Sequence, residues 1–262
     1  MNGEELIKLE IGAGADLRSI TASKLAGTAP GIFWLGGFKS DMRGTKAEAL
    51  AAHAKSGGRA YVRFDYSGHG ESGGSFERGT ISRWVEEALG VFDRMAEGPQ
   101  IIVGSSMGGW ISLLLARALR NRGKSGGATM AGLILIAPAP DFTEALMWPA
   151  LSEEARREIE EKGSWMRPSA YGGGPYPITR TLIEDGRKNI LLDKPIEIGC
   201  PVRILQGVLD PDVPWQHALK LVSCLAQDDV VLTLIKDGDH RLSRPEDIER
   251  LLRAVDELAA GV

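Results

Sequence analysis

A serine flanked by glycines is the first feature of this chain that could do covalent chemistry. Residues 104–108 read Gly-Ser-Ser-Met-Gly, which matches G-x-S-x-G with Ser106 at its centre. An apolar run at 101–103 precedes the motif, and a helical pattern at 108–119 follows it. A tight strand-to-helix turn exposes such a serine beside a helix N-terminus, which favours developing negative charge. We therefore expect Ser106 to be a nucleophile, and the neighbouring Ser105 to point away from the cleft.

A general base is the next requirement, because a serine hydroxyl attacks an acyl carbon only when its proton can be removed. With this motif, an acid and then a histidine follow the serine along the chain. Of the four histidines only His217 and His240 follow Ser106, and His217 lies inside a helical pattern that favours a packing role. His240 lies in a loop between the last predicted strand and the last predicted helix. His240 is therefore the predicted base.

The acid that orients the base is expected in the loop after the preceding strand. Residues 206–212 read Gln-Gly-Val-Leu-Asp-Pro-Asp, so Asp210 and Asp212 compete for this role. Asp210 comes first after the strand, where a carboxylate can turn back toward the sheet edge. Asp212 is nearer to the following helix and suits a turn or an N-cap. The spacing favours Asp210 and leaves Asp212 as the alternative.

Acyl transfer also needs N–H donors where the tetrahedral oxygen becomes negative. The residue after the nucleophile supplies one of them, so the backbone N–H of Met107 is the first predicted donor. The second comes from the loop after an earlier strand, which reads Trp-Leu-Gly-Gly-Phe over residues 34–38. We assign it to the backbone N–H of Phe38, since the two preceding glycines let the backbone approach a substrate closely.

One further histidine, His69, stands in a Gly-His-Gly sequence after a predicted strand. It precedes Ser106 in the chain, which is the wrong order for the base. We therefore expect a tight turn in which Asp65 and Ser72 hydrogen-bond to the backbone.

The elements that must position these residues alternate between strand and helix patterns. Such alternation is typical of an α/β fold with a mostly parallel, twisted sheet of about eight strands flanked by helices. The first two strands are expected to form an antiparallel pair, and Ser243 is the predicted N-cap of the closing helix, with Glu246 reaching back to it. The predicted strands are residues 6–11, 19–25, 31–35, 59–64, 101–103, 131–136, 202–206 and 230–235. The predicted helices are residues 45–55, 80–95, 108–119 and 244–258.

Residues 141–198 interrupt this alternation with a charged helical piece, a Gly/Pro/Tyr segment and a second helical piece. The length of this insertion predicts a cap over a site, with residues 1–140 and 199–262 forming the core domain. Trp110 and Trp148 are the predicted substrate-binding residues, and apolar side chains around them suggest an apolar or aromatic acyl group. The other candidate pocket residues are Phe38, Met107, Met147, Trp165, Met166 and Tyr171.

The composition limits the possible partners of the chain. Its 262 residues carry a formal net charge of −4, so no overall basic field favours nucleic acid. No apolar run is long enough for a membrane span, and the mixed acidic start resembles no targeting segment. We expect a cytoplasmic protein. Its two cysteines are expected to be buried thiols, since neither lies at metal-ligand spacing.

Five blocks of the sequence together resemble one branch of the α/β-hydrolase superfamily. That branch includes the mitochondrial acyl-protein thioesterase and acyl-glucuronide esterase and its bacterial relatives. The resemblance implies an α/β-hydrolase fold with the nucleophile at Ser106, the acid at Asp210 and the base at His240. Gly36 and Gln206 depart from the pattern, because many members of the superfamily carry histidine at both positions. The blocks are LGGFKSDMRGTKA, RFDYSGHGESGGSFERGTI, GSSMGGW, QGVLDPDVPW and IKDGDHRLS.

The combined prediction is a serine hydrolase that cleaves a small-molecule carboxylic ester or thioester through an acyl-enzyme on Ser106. The chemistry requires no metal ion and no organic cofactor. Two alternatives stay open: an acyltransferase or perhydrolase on the same scaffold, and a non-catalytic small-molecule binder of the same fold. The sequence leaves the oligomeric state open.

Overall fold

A sheet of eight strands forms the centre of the fold, in a computed structural model that describes residues 3–122, 127–169, 174–225 and 229–262. The sheet order is β1-β2-β4-β3-β5-β6-β9-β10, and β7 and β8 form a separate antiparallel pair. Tyr171 lies outside the described residues. The strands are β1 Glu5–Ile11, β2 Arg18–Leu25, β3 Thr28–Leu35, β4 Arg59–Phe64, β5 Pro99–Ser105, β6 Thr129–Ile136, β7 Ser164–Arg167, β8 Tyr176–Thr179, β9 Val202–Gly207 and β10 Val230–Ile235.

The sheet is mostly parallel, as predicted. The expected antiparallel opening pair is present, with Glu5 opposite Lys24, and β2 also runs antiparallel to β4. All other pairings in this sheet are parallel, so the carboxyl ends of β3, β5, β6, β9 and β10 lie at one edge. Loops that leave this edge carry the predicted chemistry.

Helices cover both faces of the sheet. Apolar side chains of α1 and α8 pack on one face, and those of α2, α3 and α7 pack on the other. Helix α2 shows why: Trp84, Ala88 and Phe92 recur at helical spacing and are all fully buried. The helices are α1 Thr45–Ser56, α2 Ile81–Met95, α3 Met107–Asn121, α4 Trp148–Ala150, α5 Glu153–Lys162, α6 Arg180–Lys188, α7 Trp215–Cys224 and α8 Pro245–Ala260.

The segment between β6 and β9 contains α4, α5, α6 and the strand pair β7–β8. The two helical pieces predicted there correspond to α5 and α6. The strand pair was not predicted, because its strands of four residues are too short to show an alternating pattern. Asp141 joins the two ends of this segment, since its buried carboxylate accepts the backbone N–H groups of Leu191 and Leu192 at 2.9 and 2.8 Å.

The predicted N-cap of the closing helix is wrong by one residue. Helix α8 starts at Pro245, and its N-cap is Arg244. The carboxylate of Asp247 accepts the backbone N–H of Arg244 at 3.3 Å, and Ser243 instead donates its hydroxyl to the carbonyl of Arg241 at 3.0 Å. The fixed φ of proline suits the first helical position, which places the cap immediately before it.

None of the helices within the described ranges combines the length and the apolar composition that a transmembrane helix needs.

Candidate active site

Ser106 lies on the tight turn between β5 and α3. Its φ of 55° and ψ of −117° are unusual for a residue with a side chain. Two neighbouring glycines are required because other atoms lie where a Cβ would be. A Cβ at Gly104 would lie 2.2 Å from the hydroxyl oxygen of Ser112, and one at Gly108 would lie 2.1 Å from the carbonyl oxygen of Leu35. The turn thus holds the serine hydroxyl in one place at the sheet edge.

His240 and Asp210 reach this hydroxyl from loops that follow β10 and β9. Nε2 of His240 lies 3.0 Å from Oγ of Ser106, and its Nδ1 lies 2.8 Å from Oδ2 of Asp210. An ionised carboxylate can only accept, so Nδ1 carries the proton and Nε2 is free to accept the serine proton. The structure therefore brings together three residues that the sequence analysis selected from separate regions.

The Asp210 carboxylate is fully buried and held on both oxygens. Its Oδ1 accepts the backbone N–H groups of Asp212 and Val213, both at 2.8 Å. Its Oδ2 accepts Nε2 of Gln206 at 3.2 Å in addition to the imidazole. Asp212, the alternative acid, thus contributes its backbone to the orientation of Asp210. Gln206, one of the departures from the superfamily pattern, supplies an amide donor to the acid.

Hydrogen bonds hold the backbone of the loop that carries His240 on both sides of this residue. The carboxylate of Asp239 accepts the backbone N–H of Leu242 at 2.9 Å, which is a turn contact. Lys46, near the start of α1, donates its ammonium group to the carbonyl oxygen of Arg241. Burial lowers the pKa of Lys46 to about 8. These contacts fix the backbone on either side of the imidazole.

The two predicted oxyanion donors belong to backbone beside the serine. Met107 is the first residue of α3, and the first N–H groups of a helix have no acceptor within it. Phe38 follows Gly37, where an added Cβ would lie 3.5 Å from Cβ of Ser106. Donation by Met107 and Phe38 to a substrate oxygen stays a prediction.

The other two histidines considered have structural contacts. His217 is buried in α7, and its Nε2 lies 2.7 Å from the carbonyl oxygen of Pro140, in agreement with a packing role. His69 lies in the predicted tight turn. There the Asp65 carboxylate accepts two backbone N–H groups, and the Ser72 hydroxyl donates to the Asp65 carbonyl at 2.6 Å.

Of the two predicted substrate-binding tryptophans, Trp110 contacts the 141–198 segment from the core and Trp148 lies within that segment. Trp110 is fully buried, and its indole N–H donates to the carbonyl of Asn189 at 3.2 Å. Trp148 is partly buried, and the guanidinium group of Arg187 lies 5.0 Å from its ring centre. Trp110 therefore attaches the segment to the core, and contact of either tryptophan with substrate stays a prediction.

Aromatic rings border the loop that carries Phe38. The Phe38 ring contacts Phe76, Phe142 and Tyr176 with centroid distances of 5.0, 5.7 and 6.0 Å. A cavity of about 310 Å³ opens beside them, lined in part by Lys39, Phe76 and Tyr176. Phe76 and Tyr176 were not among the residues predicted from the sequence. Phe76 lies in one of the five resemblance blocks and Tyr176 in the Gly/Pro/Tyr segment, but nothing in the spacing shows that the two rings meet Phe38.

Among the residues the structure describes, Asp210, Asp212 and His240 offer ligand atoms within 4.8 Å of one another. Two of these residues, Asp210 and His240, are already hydrogen-bonded to each other. A cation there would have to break that bond, so the arrangement fits proton transfer better than metal binding.

Comparison with known proteins identifies relatives over almost the whole chain. A sequence profile described as "Alpha/beta hydrolase family" matches residues 27–251. The Mus musculus protein named "Palmitoyl-protein thioesterase ABHD10, mitochondrial" is 39% identical over 245 residues, which is 93% of this chain and 80% of that protein.

Two solved structures are similar in sequence as well as in fold. A putative hydrolase from Agrobacterium vitis S4 is 50% identical with a TM-score of 0.95, over 98% of this chain and 100% of that one. Alpha/beta hydrolase domain-containing protein 10 from mouse is 39% identical with a TM-score of 0.84, over 97% of this chain and 98% of that one. The predicted α/β-hydrolase fold and the stated family resemblance are both confirmed.

Proposed function

The chain belongs to the alpha/beta hydrolase family, and we propose that it hydrolyses carboxylic esters or thioesters with Ser106 as its nucleophile. The observation that carries this proposal is the hydrogen-bonded series from Asp210 through His240 to Ser106, with contacts of 2.8 and 3.0 Å. The family and the thioesterase name of its curated relatives support the reaction class. The geometry supports the assignment of roles within it.

In the first half of the reaction, Ser106 attacks the carbonyl carbon of the substrate while His240 takes the hydroxyl proton on Nε2. Asp210 holds Nδ1–H and stabilises the imidazolium that forms. The carbonyl oxygen becomes an oxyanion, which the backbone N–H groups of Met107 and Phe38 bind. Collapse of this intermediate expels the alcohol or thiol, which receives its proton from His240, and leaves an acyl group on Ser106.

In the second half, water replaces the leaving group. His240 takes a proton from the water as its oxygen attacks the acyl carbon, and the same N–H groups bind the second oxyanion. Collapse breaks the bond to Ser106, whose oxygen recovers the proton from His240. The carboxylic acid is released and the enzyme returns to its starting state.

We propose an apolar or aromatic acyl group for the substrate. The support is the aromatic border of the Phe38 loop, where the rings of Phe76 and Tyr176 contact Phe38. We also propose that residues 141–198 act as a cap, since Trp110 in the first turn of the helix that follows Ser106 donates a hydrogen bond to this segment. A cytoplasmic location stays a prediction, and the curated relatives carry "mitochondrial" in their name.

A fluorophosphonate probe tests the nucleophile directly, because it forms a stable bond to an activated serine. We expect intact-mass analysis to show one adduct on the wild-type protein and none on Ser106→Ala. Ser105→Ala is the matched control, since it changes the adjacent serine in the same turn, and it should label like wild type. Equal labelling of Ser106→Ala, or an unlabelled wild type, would refute the assignment.

A substrate panel tests the acyl preference. p-Nitrophenyl esters and acyl thioesters of increasing chain length are compared by kcat/KM, with Ser106→Ala as the blank. We expect kcat/KM to rise from acetyl to longer or aromatic acyl groups. A preference for acetyl over all larger groups would contradict the proposed acyl pocket. Release of free acid in water, measured by mass spectrometry, distinguishes hydrolysis from transfer to another acceptor.

A further inference from the structure

The imidazole of His69 contacts the loop that carries the predicted oxyanion donor Phe38. Its Nε2 accepts the backbone N–H of Lys39 at 3.1 Å, and its Nδ1 lies 3.1 Å from the carbonyl oxygen of Ser67. Nε2 must therefore be unprotonated to accept the N–H group, and Nδ1 must carry a proton to donate to the carbonyl. Only the neutral tautomer with its proton on Nδ1 meets both requirements. The two contacts therefore fix both the position and the proton of the ring.

The N–H that His69 accepts lies at the centre of a tight turn. The backbone N–H of Ser40 donates to the carbonyl of Gly37 at 3.2 Å, so Phe38 and Lys39 are the two central residues. Lys39 has a φ of 57°, in the left-handed region that side chains seldom adopt. The turn's own hydrogen bond uses neither central N–H group. His69 takes one of them, and the described residues contain no acceptor for the Phe38 N–H, which leaves it for a substrate oxygen.

The surroundings of His69 keep the ring neutral and immobile. It is only 5% exposed, and its ring contacts Tyr66, Phe76 and Trp84 with centroid distances of 5.9, 5.3 and 5.3 Å. Burial is the main reason that its pKa falls to about 4, and the Lys39 ammonium group also lowers it. At neutral pH the ring therefore remains an acceptor on Nε2.

We propose that His69 is a positioning residue for hydrolysis, and that its Nε2 holds the 37–40 turn so that the Phe38 N–H faces the oxyanion. The inference rests on the proposed function, because it requires a tetrahedral intermediate on Ser106. The substrate carbonyl makes its strongest contact with this N–H after it has become an oxyanion. Loss of the Nε2 acceptor therefore lowers kcat and leaves KM nearly unchanged.

Two substitutions separate the acceptor from the bulk of the ring. His69→Phe keeps the aromatic packing and removes the acceptor, whereas His69→Gln places an amide oxygen near the position of Nε2. With a p-nitrophenyl ester, we expect His69→Phe to lower kcat by about 10- to 100-fold. His69→Gln should recover most of this loss. His53→Phe is the matched control, since His53 pairs with Asp256 near the surface, and it should behave like wild type.

The melting temperature of each variant accompanies the kinetics. If His69→Phe does not fold, His69→Gln is compared with His69→Asn, whose amide is too short to reach Lys39. We then expect His69→Gln to have the higher kcat. Wild-type kcat in His69→Phe, or no recovery in His69→Gln at equal melting temperature, overturns the inference. Loss of hydrolysis in Ser106→Ala with no effect at His69 refutes the positioning role alone. Hydrolysis that persists in Ser106→Ala refutes the proposed function itself.

Discussion

Replacement of Asp210 by asparagine keeps the shape of the side chain and reverses one hydrogen bond. The Oδ1 position accepts the backbone N–H groups of Asp212 and Val213 at 2.8 Å, so the amide oxygen must occupy it. The amide NH₂ group then takes the Oδ2 position, which faces Nδ1 of His240 at 2.8 Å and Nε2 of Gln206 at 3.2 Å. Nδ1 now faces a donor, so the His240 proton moves to Nε2.

The consequence of this tautomer is loss of the general base, because an Nε2 that carries a proton cannot accept one from Ser106. Gln206 cannot relieve the conflict by turning its amide over. Its Nε2 also donates to the carbonyl oxygens of Gly207 and Val213, at 3.1 and 3.0 Å. The same change of tautomer in serine proteases lowers kcat about 10⁴-fold. This corresponds to about 5.5 kcal/mol of transition-state stabilisation.

Steady-state hydrolysis of a p-nitrophenyl ester measures the effect, with thermal unfolding to verify that the variant is folded. Asp212→Asn is the matched control, because it keeps the backbone N–H that Asp210 uses, and its kcat should stay close to wild type. Fluorophosphonate labelling should slow in Asp210→Asn in parallel with kcat. Wild-type kcat in Asp210→Asn, or a larger loss in Asp212→Asn, would refute the assignment of the acid.

Three further changes test how the fold supports the site. Gly108→Ala should lower both kcat and the melting temperature, because its methyl group would lie 2.1 Å from the carbonyl oxygen of Leu35. Gly44→Ala is the control, because no atom lies nearer than 3.7 Å to its added methyl group, and equal kcat and melting temperature in the two variants would contradict this reasoning. The free energy of unfolding should fall as the pH drops from 6.5 towards 4, since burial lowers the pKa of His69 and the unfolded chain binds the proton first. The largest loss expected from His69 is about 3 kcal/mol. If the free energy of unfolding of His69→Gln falls with pH as steeply as that of wild type, His69 is not the group responsible. Asp141→Ala should lower the free energy of unfolding by about 2–4 kcal/mol in urea denaturation, because two buried N–H groups lose a charged acceptor; a stability equal to wild type would show that Asp141 does not hold the segment.

The inner strands β3, β5, β6 and β9 could be predicted because they are largely buried on both faces and therefore contain continuous apolar runs. The bounds predicted for β4 and β10 agree with the structure at both ends. The chain order of Ser106, Asp210 and His240 could also be used, because parallel strands place the loops after their carboxyl ends at a single edge. Local sequence and this one topological rule were enough to select Ser106 and His240, and they favoured Asp210 over Asp212 as the acid.

Contacts between distant segments could not be predicted from the sequence. The strand pair β7–β8 has strands of only four residues, and its pairing depends on packing rather than on any pattern within the strands. The contact of His69 with Lys39 joins two loops that are 30 positions apart. Neither loop contains a signal for the other, so sequence reasoning identified a turn at His69 and could not identify its partner.

The direction of each hydrogen bond from Gln206 to Ser106 is determined by the backbone around the buried Gln206 amide. The carbonyl oxygens of Gly207 and Val213 hold the Gln206 amide with its NH₂ group toward Asp210. The Asp210 carboxylate can only accept, so it selects the His240 tautomer with the proton on Nδ1. That tautomer presents an unprotonated Nε2 to the hydroxyl oxygen 3.0 Å away. A glutamine at position 206 can therefore replace the histidine of many superfamily members, because it supplies a hydrogen-bond donor to Asp210 whose direction the backbone fixes.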